Sequence, residues 1–65
     1  MNFIQINGTS FNPGNAHSVV SINSRSGRPL ILVNFYQPLA DIVFLFHSEK
    51  ERDAKFEDIR ERQAM

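Results

Sequence analysis

Residues 30–47 read Leu30-Ile-Leu-Val-Asn-Phe-Tyr36, then Gln37-Pro-Leu-Ala-Asp41, then Ile42-Val-Phe-Leu-Phe-His47. Two runs rich in β-branched and aromatic residues flank a short connection containing Pro38, which is the pattern of a β-hairpin. Side chains alternate between the two sides of a strand. The first run therefore sets Leu30, Leu32, Asn34 and Tyr36 against Ile31, Val33 and Phe35. The second sets Ile42, Phe44 and Phe46 against Val43, Leu45 and His47. Both sides of both runs are largely apolar, which places this hairpin at the centre of a sheet.

Toward the N-terminus, residues 17–22 read as a further strand, with Val20 and Ile22 on one face and Val19 and Ser21 on the other. A polar turn, residues 23–29, joins it to the central hairpin. Residues 3–6 read as the first strand and end at Asn7-Gly8, a strong turn signal. No clean alternation follows, so residues 7–16 read as a loop with a short extended piece around Phe11. Within it, Asn12-Pro13-Gly14-Asn15 fits a β-turn, with proline setting φ at the second position and glycine easing the third.

Toward the C-terminus the texture changes. Ser48-Glu-Lys-Glu51 has the spacing of a capping box, in which the Ser48 hydroxyl and the Glu51 carboxylate each satisfy a free amide of the first turn. Residues 49–63 contain no glycine or proline. Glu51–Lys55 and Asp58–Arg62 are favourable pairs at four-residue spacing. The expected fold is α+β: a four-stranded, mostly antiparallel β-sheet over residues 2–47 followed by one C-terminal α-helix over residues 49–63 (ββββα), in a single small domain of residues 1–65.

That helix is thinly apolar. Phe56 and Ile59 are its only large apolar residues before residue 64, and Glu49, Arg52 and Gln63 share the Phe56 side. Two anchors cover part of one sheet face. The other face would keep several large side chains in water, at a cost of about 25 cal/mol per Å2. A chain of 65 residues without cysteine has no disulfide to offset that loss. Covering the face with a second copy is the simplest remedy, since two-fold dimers are the commonest oligomers. The competing reading is a sheet that curls into a small barrel.

Charge is uneven. Residues 1–40 hold Arg25 and Arg28 and no acid, whereas residues 41–65 hold seven acids against five lysines and arginines, so that +2 and −2 give the net zero. This is not the basic footprint of a typical nucleic-acid binder. The sequence has neither a long apolar run nor a basic leader pattern, so a cytoplasmic location without membrane contact is expected.

Catalytic signals are absent. His17 and His47 have no evident partner for general-base chemistry. His47 reads as a half-buried ring beside the helix start. Asp53, Glu57 and Glu61 form a ridge at four-residue spacing, interleaved with Lys55, Arg60 and Arg62, which is the pattern of a solvated helix face. No zinc, EF-hand or phosphate-loop motif is present, and no metal or cofactor is expected.

Two features stand out. Arg25 and Arg28 lie on a turn with Ser24 and Ser26, and the guanidinium fork suits phosphate or carboxylate. Asn34 and Tyr36 interrupt an apolar strand face and need partners if buried. The leading functional expectation is a non-enzymatic, homo-oligomeric module that binds another protein. A second is single-stranded nucleic-acid binding on an aromatic sheet face. In topology alone, the ββββα outline is similar to that of the small dimeric coactivator-type single-strand binders. A third is capture of a small anion such as a nucleotide between subunits, through Arg25, Arg28, Asn34 and Tyr36.

Overall fold

The computed structural model describes residues 3–36 and 39–63. It is α+β, with five strands in two antiparallel sheets and one C-terminal helix. The elements in chain order are β1 (Ile4–Ile6), β2 (Thr9–Phe11), a 3-10 turn (Pro13–Asn15), β3 (Ala16–Asn23), β4 (Pro29–Phe35), β5 (Ile42–Leu45) and α1 (Glu49–Gln63). The helix has the bounds that its capping signal and lack of breakers imply.

The single four-stranded sheet is corrected in two ways. First, Asn7-Gly8 closes a hairpin of its own. Asn7 has φ of 49° and Gly8 of 84°, the positive values of a two-residue turn that matches strand twist. The chain returns at once as β2, with Ile6 opposite Thr9 and Ile4 opposite Phe11. The segment expected to be a loop is therefore largely ordered. Its second half turns at Asn12–Asn15 as expected, with the Asn15 amide donating to the Asn12 carbonyl at 2.9 Å in a 3-10 turn that does not depend on glycine. Asn12 caps it by accepting the Gly14 amide at 2.9 Å, and Gly14 is not in the left-handed region.

Second, β3, β4 and β5 form a separate sheet in that order, with β4 at its centre and β5 at an edge. The hairpin expected at the centre of a sheet thus supplies one central strand and one edge strand. With two sheets of two and three strands, the ββββα outline does not hold. Pro38 and residue 2, expected in the connection and at the sheet start, lie outside the described residues.

The register explains the inner face. Ile31 lies opposite Phe44, and Val33 opposite both Ile42 and Val19. Ile31, Val33, Phe44 and Phe46 point inward to a core completed by Ile4, Ile6 and Phe11 of the small hairpin and Ile59 of α1. Phe11 stacks on Phe44 at 5.6 Å between ring centroids and meets Phe35 edge-on at 5.7 Å. The hairpin and the helix together cover one face of the three-stranded sheet. This is how a helix with only two apolar anchors suffices on that side.

Helix α1 is held at both ends by polar contacts. At its start the Ser48 hydroxyl accepts the Glu51 amide at 3.2 Å, which is one half of the expected capping box. The Arg52 amide continues the turn to the Ser48 carbonyl at 3.1 Å. Near its end Gln63 Nε2 donates to the Pro13 carbonyl at 3.3 Å. Asp58 and Arg62 pair at 3.2 Å. Among the described residues Glu51 and Lys55 form no ion pair.

Arg52 is only 7% exposed and is the one buried charged residue among the described residues. Its Nη1 donates to the Ile22 carbonyl at 2.8 Å and to Asn23 Oδ1 at 2.6 Å. Asp53 and Glu49 lie at 3.0 and 3.6 Å from its Nη2. The helix is thereby tied to the end of β3. At the far edge of the same sheet, Asn7 Nδ2 donates to the Leu45 carbonyl at 3.2 Å and joins the small hairpin to β5.

Candidate functional site

The opposite, outer face of the three-stranded sheet follows from the same registers. Val20, Leu32 and Val43 form one row across it, and Ile22, Leu30 and Leu45 form the next. Val43 is 54% exposed, Leu45 45%, Ile22 43% and Val20 38%, while Leu30 and Leu32 are half-buried by their neighbours. No other described element packs over these six aliphatic side chains. The sheet is therefore apolar on both faces, as its alternation implies, and one face is open.

Polar rows close this patch at both ends. At one end Ser18 lies opposite Asn34. The Asn34 amide oxygen accepts from Ser18 Oγ at 2.7 Å, and its nitrogen donates to the Asp41 carboxylate at 2.9 and 3.3 Å. The reverse amide orientation would set an oxygen against a carboxylate with no proton between them. The half-buried asparagine is thus fully used, and it holds an exposed carboxylate at the edge of the aliphatic face.

At the other end the β4–β5 register continues from Leu30↔Leu45 through the Phe46 amide, which donates to the Pro29 carbonyl at 3.0 Å. One step further, Arg28 and His47 fall opposite each other on the outer side. They line a concavity together with Val43, Leu45 and Glu51. Ser24 completes this row. Its amide donates to the Arg28 carbonyl at 2.8 Å, and its hydroxyl accepts the Arg28 amide at 3.1 Å. Gly27, at φ of 86°, makes the tight return possible. The expected half-burial of His47 is corrected: strand β5 ends at Leu45, and the ring is exposed.

The four residues expected to form a binding site are split. Arg25 and Arg28 sit on the turn at one end of the face, and Asn34 with Tyr36 at the other. Asn34 lies six residue steps beyond Arg28 along extended chain, or about 20 Å at ~3.3 Å per residue. Within one chain they cannot share a small ligand. Tyr36 is exposed and meets the His17 ring edge-on at 5.2 Å. Asp41, Ser18 and His47 were not among the expected site residues. The signal for them lay in the hairpin register, which carries residue 41 to residue 34 and residue 47 to residue 28.

Phe11, Phe44 and Phe46 are buried and Phe35 half-buried, so the open face is aliphatic. Among the described residues, Asp41, Arg25 and Arg28 enter no ion pair. No described helix is long and apolar enough to cross a membrane. The chain matches no protein family, no curated protein and no solved structure with which it was compared.

Proposed function

We propose that this protein is a small non-catalytic interaction module that self-associates through the outer face of β3, β4 and β5. The observation that carries the reading is the open patch of Val20, Ile22, Leu30, Leu32, Val43 and Leu45. Contiguous exposed apolar surface rimmed by polar residues marks interaction sites. In a chain of 65 residues, leaving it in water weakens an already small core. A second copy offers the same uncharged surface, so the pairing needs no buried ion. Base stacking on this face is not favoured, because it presents no aromatic ring within the two aliphatic rows.

The test is sedimentation velocity over a concentration series. The wild type is expected to shift from monomer to dimer with concentration. Val43→Lys is expected to stay monomeric, with an unchanged circular dichroism spectrum because residue 43 is exposed on the outer face. A wild type that remains monomeric throughout, or a lysine variant that dimerises as well as wild type, would overturn the reading.

A further inference from the structure

The two polar rows that end the aliphatic face carry opposite charge. Asp41, held by Asn34, lies at one end. Arg28 and His47 lie at the other, with Arg25 beyond them on the same turn. Among the described residues neither Asp41 nor Arg28 enters an ion pair, Glu51 lines the same concavity as Arg28 and His47, and both Asp41 and Arg28 are exposed. Two aliphatic rows separate them.

A face-to-face pair of identical sheets has two simple choices of two-fold axis, both in the interface plane. An axis along the strands sets each end on its own copy, so that Asp41 meets Asp41 and Arg28 meets Arg28. An axis across the strands sets each end on the opposite end. Like charges at an interface select against the first, and opposite charges favour the second. The aliphatic rows are compatible with both.

Building on the self-association reading, we infer that two copies stack with β4 antiparallel to β4 across the interface, Asp41 of each copy facing Arg28 and His47 of the other. The two-fold axis passes between the row of Leu32 and the row of Leu30. Leu32 of one copy then packs over Leu30 of the other, and Ser18 lies over Ser24. Sheets stack about 10 Å apart, a gap that an aspartate and an arginine span together. Three strands ~4.8 Å apart and four rows ~7 Å apart make a face of roughly 14 by 27 Å. That is roughly 380 Å2 on each copy, or about 760 Å2 in all, below the ~1,000 Å2 of a stable specific interface, so the dimer is a weak one that dissociates on dilution.

This arrangement also gives the separated site residues a common place. Asn34 of one copy comes over Arg28 of the other, although about 20 Å of strand separates them within a chain.

Charge reversal tests the orientation. Arg28→Asp and Asp41→Arg are each expected to weaken dimerisation about fivefold to tenfold, because each contact occurs twice in a symmetric dimer and becomes repulsive. The double variant is expected to recover most of that loss. The single-variant penalties shrink at high salt. Cooperative unfolding of the single variants checks that both keep the fold, with a small loss for Asp41→Arg because Asn34 loses its acceptor. Dimers that form but are indifferent to either single reversal would overturn the antiparallel stacking while leaving self-association standing. A wild type that never dimerises would overturn both.

Discussion

At the scale of single residues, two polar side chains do most of the positioning, and both are satisfied. Arg52 is the clearer case. Its guanidinium donates to the Ile22 carbonyl and to Asn23, and its charge is shared by Asp53 and Glu49. Replacing it with methionine keeps the volume and removes those bonds. Arg52→Met is expected to lower stability by about 1–3 kcal/mol, because the Ile22 carbonyl loses a charged donor. Urea unfolding followed by circular dichroism measures it, and a loss under about 0.5 kcal/mol would show the tie to be incidental. The helical spacing put Arg52 on the side of Phe56, but its partners at the end of β3 were not legible, since arginine on a helix is usually solvated. Asn34 was legible as a polar break in an apolar strand. Its partners Ser18 and Asp41 were not, because they lie across strand pairings that local patterning does not state.

At the scale of elements, the outcome turned on how much each local signal needed its surroundings. The helix was readable throughout, since its cap, its charge spacing and its freedom from glycine and proline are all local. Strands β3, β4 and β5 were readable within a residue or two at each end, because alternation persists over them. The strand β2 was legible only as a short extended piece around Phe11: Thr9, Ser10 and Phe11 have too little alternation, and the pairing of Ile4 with Phe11 makes them a strand. Asn7-Gly8 was the stronger clue. Gly8 sits at φ of 84° with open space around its missing Cβ, so a substitution there strains the backbone and nothing else. Gly8→Ala is therefore expected to cost about 1 kcal/mol without altering the core. Comparison of its urea midpoint with wild type checks this. A neutral result would mean that the hairpin does not depend on its turn.

At the scale of the whole molecule, one sheet has two apolar faces and the chain covers one of them. The inner face takes the small hairpin and the helix. The outer face keeps six aliphatic side chains between a carboxylate and a guanidinium. Association that buries this face stabilises the folded form by mass action. The thermal midpoint of the wild type is thus expected to rise with protein concentration, and that of Val43→Lys to stay constant. Scanning calorimetry at several concentrations decides it, with a concentration-independent wild type counting against coupled association. The two-faced character is legible in the alternation of residues 30–47 alone, whereas the charge asymmetry on which the proposed orientation rests needs the register. The bond from Asn7 to the Leu45 carbonyl then acquires a meaning for growth. Ladder alternation turns the main-chain groups of Val43 and Leu45 toward the free side of β5, where a strand from another molecule could attach and start a fibre. Asn7 occupies one of those acceptors. Within the proposed pairing, a strand arriving on this margin would have to displace that contact, so the chain's own turn biases assembly toward the face.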